Sequence, residues 1–167
     1  MIELAQLRFG EIKIKDKKGY EIIIREFRRE DREKLIEMYL TFDPCQRCLG
    51  LPPVTREAVE KWVDDLNSKG ISIVAEFDGK IVGHLAIVPY GDSSVDISIF
   101  VHQDYQNRGI GQGMLRSTID FCKRCGFKCI TLATELNNRR ALHIYKKLGF
   151  KKLNVYGCEL EMYLPLN

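Results

Sequence analysis

The residues best suited to chemistry in this sequence form one glycine-rich segment near its middle. Eight residues make it up: Gln106, Asn107, Arg108, Gly109, Ile110, Gly111, Gln112 and Gly113. Three glycines in five positions let the backbone turn tightly and point its N–H groups in one direction. The helical pattern that begins here adds unpaired N–H groups and the positive end of a helix dipole. The segment therefore predicts a cradle for a diphosphate, with Arg108 as an adjacent cation.

Two better-known phosphate motifs are excluded here, and a plain structural turn is not. No Gly-Lys-Ser/Thr follows the segment, so it is not a Walker loop. It lacks G-x-G-x-x-G and comes late in the chain, which argues against a dinucleotide fingerprint. On the segment alone, a diphosphate cradle and a tight strand-to-helix turn both stay open.

A second motif changes that balance, because the two together resemble the GNAT superfamily of N-acetyltransferases. The family's pyrophosphate loop reads Gln/Arg-x-x-Gly-x-Gly/Ala, and Gln106, Gly109 and Gly111 match it. Its other signature, Asn-x-x-Ala followed by Tyr and Gly-Phe, matches after one intervening strand: Asn138, Ala141, Tyr145, Gly149 and Phe150. The order of predicted elements over about residues 20–164 also fits the family.

The resemblance implies acetyl-CoA as cosubstrate and transfer of its acetyl group to a primary amine by direct attack. It puts the pyrophosphate on residues 106–111 and the pantetheine arm between two splayed central strands. Phe100 and Val101 on the first of these strands would follow the pantetheine, and Asn138 would touch the cofactor from the other side. Gln112, Gly113 and Tyr145 complete the predicted cofactor contacts.

The resemblance also implies a proton donor. A lysine-type amine has a pKa near ~10.4 and must lose a proton, and a leaving thiolate, with a thiol pKa near ~8.5, benefits from receiving one. Tyr145 matches the family's tyrosine near the thioester sulfur and is the predicted donor. Ala141, Tyr145 and Leu148 share one helix face, so a core aromatic is the alternative. A packed ring with its hydroxyl at the cleft would satisfy both.

The sequence leaves three alternatives for the group that accepts the proton of the amine: two carboxylates and a water chain. Family members that acetylate protein N-termini often carry a glutamate at the position that is Ala133 here, so this sequence departs from that pattern. Glu135 lies two residues on and shares the same strand face. Asp96 lies near where other members carry a glutamate that deprotonates lysine, and it is the favoured base. An ordinary solvated carboxylate is the alternative for each.

The elements that must position these residues follow from periodicity and turn signals. Strand-like runs predict eight strands at residues 9–15, 20–27, 71–77, 80–88, 95–101, 128–133, 150–156 and 158–164. Helical spacing predicts helices at residues 30–41, 55–70, 109–125 and 138–148. Hairpins favour antiparallel pairing, and strand-helix-strand units favour parallel pairing. The predicted fold class is α/β with a mixed sheet flanked by helices, to which the resemblance adds the splayed strands.

Composition and charge bound the class of protein. The 167 residues, 45% of them hydrophobic, suit one compact α/β domain. The resemblance makes residues 1–167 a single N-acetyltransferase domain, with residues 1–19 as an extra N-terminal strand of a hairpin. A net charge of +3 is too small to indicate nucleic acid. No run of about 18 apolar residues exists and the start lacks a signal-peptide pattern. We therefore expect a cytoplasmic protein with no membrane partner.

The metal-binding residue types give no predicted metal site. Cys45 and Cys48 form one C-x-x-C, and Cys122 and Cys125 form another. The gap between the pairs exceeds zinc-ribbon spacing, and Cys122 falls on an apolar helical stripe, so core thiols are favoured over zinc or a disulfide. The histidines show no metal-ligand spacing: His84, His102 and His143.

The acceptor is the least determined part of the prediction. The resemblance implies that the loop at residues 42–54, together with residues 89–94, lines the acceptor side of the cleft. The loop lacks the dense acidic cluster that would indicate a polyamine, so a protein or peptide amine is favoured over a small-molecule amine. A catalytically silent CoA-binding sensor is the alternative outside the enzymes, and a homodimer is left open.

Overall fold

The computed structural model describes residues 8–167, and residues 1–7 of the predicted N-terminal strand region lie outside this range. Eight strands follow one another in the chain: β1 (Ile12–Lys15), β2 (Glu21–Glu26), β3 (Ile71–Phe77), β4 (Lys80–Tyr90), β5 (Ser94–Val101), β6 (Cys129–Glu135), β7 (Lys151–Tyr156) and β8 (Glu159–Pro165). Four α-helices connect them: α1 (Arg32–Leu40), α2 (Arg56–Lys69), α3 (Ile110–Cys125) and α4 (Arg139–Lys147).

The strands form one mixed sheet in the order β1-β2-β3-β4-β5-β6-β8-β7. Each neighbouring pair is antiparallel except β5 and β6, which are parallel. The predicted Asp78-Gly79 hairpin joins β3 to β4, with φ angles of 49° and 78° that suit a two-residue turn. The predicted α/β fold with a mixed sheet is confirmed.

The helices cover both faces of this sheet. On one face, α1 and α2 bury a cluster that includes Leu35, Val63 and Val74 of β3. On the other face, α3 and α4 pack on a larger cluster that includes Met114 and the predicted core thiol Cys122. No helix within residues 8–167 is both long and apolar enough to span a membrane.

Several boundaries differ from the prediction by one to three residues, and two of them have clear local reasons. The first strand begins at Ile12 rather than residue 9, because Gly10 takes a left-handed φ of 82° that interrupts an extended run. The helix predicted from residue 30 begins at Arg32, because Arg29–Asp31 form a 3-10 turn. In that turn the Asp31 carboxylate accepts the backbone N–H of Arg28 at 2.7 Å.

Candidate active site

A cleft opens between the central strands β5 and β6. Their pairing is limited to three positions, from Ser94 opposite Cys129 to Asp96 opposite Thr131. Beyond that point β5 continues along β4, and β6 continues along β8. Within the described part of the chain, the cleft edge of residues 97–101 has no strand partner. Such an edge offers backbone N–H and C=O groups to an extended polar ligand.

The predicted diphosphate cradle lies at the open end of β5. After the 3-10 turn Gln103–Tyr105, Asn107 and Gly109 take positive φ angles of 62° and 88°, and α3 begins at Ile110. Asparagine and glycine tolerate this left-handed conformation. No side chain caps the start of α3. Its first N–H groups and its positive dipole end therefore remain available for an anion.

The structure gives different reasons for the presence of glycine at the last two glycine positions of the segment. A Cβ added at Gly113 would lie 2.6 Å from Cδ1 of Ile14, so close packing of α3 on β1 favours glycine there without any ligand. A Cβ added at Gly111 would meet only Cγ2 of Val101 at 3.6 Å, an ordinary contact. Gly111 therefore has space around it that packing does not explain.

Gln106 connects the cradle to both sides of the cleft. Its Nε2 donates to the backbone oxygen of Val101 at 2.9 Å. Its Oε1 accepts a hydrogen bond from Nη1 of Arg140, in the first turn of α4, at 2.7 Å. Arg140 was not predicted as a site residue, although it lies inside the matched Asn-x-x-Ala motif.

Arg108 points toward the N-terminal hairpin. Its Nη1 lies 3.5 Å from Oδ2 of Asp16, and its Nη2 donates to the backbone oxygen of Asp104 at 3.2 Å. The guanidinium also lies over the ring of Tyr105, 5.0 Å from the ring centroid. The cation predicted to face a diphosphate is therefore engaged by a carboxylate, which the sequence alone did not indicate.

Tyr145 combines a packed ring with an unengaged hydroxyl. The ring lies 5.8 Å from that of Phe150 in the core on the α3–α4 face. Burial raises the pKa of the phenol, and the nearby Cys48 thiol adds to the shift. Within residues 8–167 no hydrogen bond to its hydroxyl is found. A phenol with a raised pKa stays protonated at neutral pH and can act as a proton donor.

Asp96 lies at the vertex of the cleft, on the α1–α2 face. The Thr131 hydroxyl donates to its Oδ1 at 2.8 Å, and the Tyr90 hydroxyl donates to Thr131 at 3.1 Å. Partial burial raises the pKa of Asp96 and the charge of Glu161 adds to this, while the hydrogen bond from Thr131 opposes it. A carboxylate with a raised pKa is a better proton acceptor than an ordinary one.

A groove beside Asp96 gives access to this carboxylate. It has a volume of about 500 Å³ and lies between α2 and the strands β4, β5, β6 and β8. One of its acids, Asp65, forms an ion pair with Lys69 at 2.8 Å. Asp96 and Glu161 leave the lining with an excess of negative charge. Such a lining attracts an ammonium group.

The predicted acid and the favoured base approach the cleft from opposite faces of the sheet. Tyr145 belongs to the cluster under α3 and α4, and Asp96 lines the groove beside α2.

Glu135 anchors a loop and has no direct link to Asp96. The loop between α1 and α2 crosses the open side of the cleft. On the β5 side the backbone N–H of Asp43 donates to Oε1 of Gln103 at 3.0 Å. On the β6 side the backbone N–H of Leu49 donates to Oε1 of Glu135 at 2.8 Å. The second carboxylate weighed as a base is thus an attachment of this loop on the β6 side, where Cys48 Sγ also lies 3.8 Å from Oγ1 of Thr134.

The other predicted cofactor residues flank the cleft. Asn138 directly precedes α4, and its Nδ2 lies 3.4 Å from Oγ1 of Thr134 at the end of β6. The ring of Phe100 packs on the α1–α2 face among three aromatic rings: Tyr39, Phe42 and Trp62.

Packing accounts for two of the histidines. His84 is buried between the hydroxyls of Tyr39 and Ser72, and burial lowers its pKa to about 3. His102 contacts Oγ1 of Thr41 at 3.0 Å, just after β5. Among residues 8–167, no group of three or more potential metal ligands is found.

Comparisons of sequence connect this geometry to known proteins. Residues 24–150 match the family model described as Acetyltransferase (GNAT) family. The L-amino acid N-acetyltransferase AaaT of Escherichia coli is 29% identical over 138 residues, which cover 78% of this chain and 83% of AaaT. Three further relatives, from Xenopus tropicalis, Methanocaldococcus jannaschii and Escherichia coli, match over shorter segments, and this chain spans less than half the length of each.

Solved structures share the fold. The GNAT domain of S. lividans PAT matches with a TM-score of 0.80 at 13% identity, over 93% of this chain and 97% of that one. The yncA acetyltransferase of Salmonella typhimurium, solved with its cofactor acetyl-CoA, matches with a TM-score of 0.70 at 20% identity, over 87% and 94% of the two chains. Because the family model covers well over half of the sequence, and the sheet has the same architecture, this chain belongs to the acetyltransferase (GNAT) family.

Proposed function

We propose that this chain transfers the acetyl group of acetyl-CoA to a primary amine. The observation that carries the proposal is the cleft between β5 and β6, which runs from the vertex at Asp96 to the uncapped start of α3. This path offers an unpaired strand edge for an extended arm and then free N–H groups for a diphosphate. CoA has the two matching parts: an extended pantetheine arm with amide groups, and a diphosphate.

The residues on this path divide the binding of CoA among them. The N–H groups at Gly109, Ile110 and Gly111 hold the pyrophosphate, and the edge of residues 97–101 holds the amides of the pantetheine arm. Asn138 contributes its carboxamide from the β6 side. Gln106 fixes the shape of the cradle through its bonds to β5 and α4.

Asp96 and Tyr145 carry the proton transfers. Asp96 accepts a proton from the incoming ammonium group, directly or through one water, so that the neutral amine can attack the thioester carbon. The new C–N bond forms as the C–S bond breaks. Tyr145 gives its proton to the departing sulfur, and the second proton that the nitrogen loses on becoming an amide returns to the Tyr145 oxygen, directly or through one water. Placement of the two reactants in one cleft supplies much of the remaining acceleration.

The acceptor class that we propose is a peptide or protein amine. The groove beside Asp96 lies on the molecular surface, and its excess negative charge favours an ammonium group over a carboxylate. A second candidate acceptor is the amine of a free amino acid, because AaaT, which matches 78% of this chain, is named an L-amino acid N-acetyltransferase.

Binding of CoA tests the first half of the proposal. At a ligand concentration ~100 times the dissociation constant, binding adds about 2.7 kcal/mol of stability, or roughly 5–10 °C in melting temperature for a domain of this size. Gly111→Glu places a side chain and a negative charge in the cradle and should abolish the shift. Gly111→Ala is the matched control and should keep it, since its Cβ makes only an ordinary contact. A shift that survives Gly111→Glu would contradict the placement of the pyrophosphate.

Release of free thiol from acetyl-CoA tests the second half. The acceptors to compare are peptides with a free N-terminus, peptides with an internal lysine, free amino acids, polyamines and aminoglycosides. Turnover with peptides supports the proposed acceptor, and turnover with amino acids alone supports the second candidate. CoA binding without turnover on any acceptor, including a digest of cellular protein, would favour a CoA-binding sensor.

A further inference from the structure

The turn of the N-terminal hairpin, residues 16–20, is fastened to the cradle. Oδ1 of Asp16 accepts the backbone N–H groups of Lys18 and Tyr20, each at 2.9 Å, which fixes the conformation of the turn. Oδ2 of Asp16 is buried and lies 3.5 Å from Nη1 of Arg108. The backbone N–H of Lys17 donates to the backbone oxygen of Arg108 at 2.9 Å. The turn and the cradle therefore form one continuous surface.

The strand that leads into this turn is fitted closely to α3. Cδ1 of Ile14 occupies the place where a Cβ of residue 113 would stand. β1 also lies outside the part of the chain that matches the family model, residues 24–150. The position of the turn is thus a feature of this chain that the family match leaves unassigned.

Among the described residues, two arginines of the cradle and of the first turn of α4 already have side-chain partners. Arg108, the cradle's own cation, faces Asp16, and Arg140 is held by Gln106. CoA brings two phosphates in its diphosphate and a third on its ribose. Lys17 and Lys18 are both exposed, and the backbone N–H of Lys17 donates to the cradle at Arg108. A lysine ammonium on its flexible stem is a point charge that binds phosphate well.

We propose that Lys17 and Lys18 form a second phosphate-binding element for the nucleotide end of CoA. Asp16 is the positioning residue of this element, because it shapes the turn and draws Arg108 away from the anion. The inference rests on the proposed placement of the CoA diphosphate at the start of α3. It adds the hairpin turn to a site that the GNAT motifs confine to the cradle and α4.

The test compares two double variants with equal changes of charge. Lys17→Ala/Lys18→Ala removes the turn lysines. Lys13→Ala/Lys15→Ala removes two lysines of the same hairpin that alternate with the core-facing Ile12 and Ile14 and so point to the opposite face. Calorimetry with CoA and with 3′-dephospho-CoA gives the dissociation constants. We expect the turn variant to bind CoA roughly five to ten times more weakly and the control variant to change by less than about twofold.

The comparison of CoA with 3′-dephospho-CoA identifies which phosphate the lysines bind, and assignment to either phosphate supports the proposal. A loss with CoA alone assigns the lysines to the ribose phosphate, and an equal loss with both ligands assigns them to the diphosphate. Equal losses in the two double variants, or no loss in the turn variant, would overturn it. Failure of the wild-type chain to bind CoA would instead refute the proposed function, and unchanged melting temperatures without ligand show that both variants fold.

Discussion

Nη1 of Arg140 lies 2.7 Å from Oε1 of Gln106, which joins the first turn of α4 to the loop after β5. The two residues come from opposite sides of the cleft, whose strands share only three paired positions. The contact therefore joins the two sides of the proposed CoA cleft. It also leaves the other end of the Gln106 carboxamide to hold the backbone of Val101.

Loss of this contact should weaken CoA binding without touching the chemical step. We predict that Arg140→Ala raises KM for acetyl-CoA about fivefold, as expected for a charge-assisted hydrogen bond near the surface worth about 1 kcal/mol. kcat should stay unchanged. Lys146→Ala, at the other end of α4, is the control and should leave KM unaltered. Steady-state kinetics at saturating acceptor measure both constants, and equal effects of the two variants would contradict the predicted role.

Tyr145→Phe separates the hydroxyl from the ring. Because no hydrogen bond to this hydroxyl is found within residues 8–167, its loss should leave the melting temperature unchanged. If Tyr145 protonates the thiolate, kcat should fall about 10²-fold with CoA affinity retained. Its raised pKa predicts that the wild-type enzyme shows no alkaline loss of activity from this group near neutral pH. Full activity in the variant would show that Tyr145 is only a core aromatic.

Tyr39→Phe is expected to lower stability and leave kcat unchanged, the opposite of Tyr145→Phe. Its hydroxyl is buried and bonded to Nδ1 of His84, so the substitution leaves a buried ring nitrogen without that partner. The free energy of unfolding should fall by about 1–3 kcal/mol. kcat should stay at the wild-type value, since neither residue lies in the proposed path. Chemical denaturation and thiol-release assays on the same samples measure the two effects.

The motif residues were predictable because their signals are local. Gln106, Gly109 and Gly111 lie within six positions, and the turn they form depends on backbone freedom that the sequence displays directly. The order of the elements was equally readable from periodicity and turns. The splayed strands came from the family resemblance and not from any property of residues 95–101 or 128–133.

The missed residues act through distances that sequence spacing does not encode. Arg140 meets Gln106 across 34 positions, and Asp16 meets Arg108 from the N-terminal hairpin, far earlier in the chain. Glu135 lies on the same strand face as the position where family members carry a glutamate base. In the structure, its carboxylate accepts the backbone N–H of Leu49. Such contacts depend on strand register and loop paths, which the packing of the whole sheet determines.

Asp96→Asn tests the base through the dependence of rate on pH. A base must be deprotonated to act, so the rate should fall as pH drops through the pKa of Asp96. Because that pKa is raised, the fall should begin above the usual range of an aspartate. The variant should lose about 10²-fold or more in kcat/KM and should lack this acidic fall. If Asp96→Asn keeps the wild-type dependence of rate on pH, Asp96 is not the base, and a water chain would take that role.

The same raised pKa has a consequence for stability with a definite sign. The folded state holds the Asp96 proton more tightly than the unfolded state, so protonation stabilises the fold. This contribution is complete below the unfolded-state pKa and is lost as pH rises through the folded-state pKa. The stability of the wild type relative to Asp96→Asn should therefore be greatest at acidic pH and decline toward neutral pH. Urea denaturation at several pH values measures it, and a flat difference would contradict the raised pKa.

Glu135→Gln and Glu135→Ala together decide whether this residue is a base or an anchor. The glutamine keeps an oxygen that can accept the N–H of Leu49, and the alanine does not. If Glu135 anchors the loop, only the alanine variant should raise KM for the acceptor. Its loop should also be cut by trypsin after Arg47 about tenfold faster, as expected when an attachment worth about 1–1.5 kcal/mol is lost. If Glu135 is the base, both variants should lose kcat equally, because neither side chain can accept a proton at neutral pH.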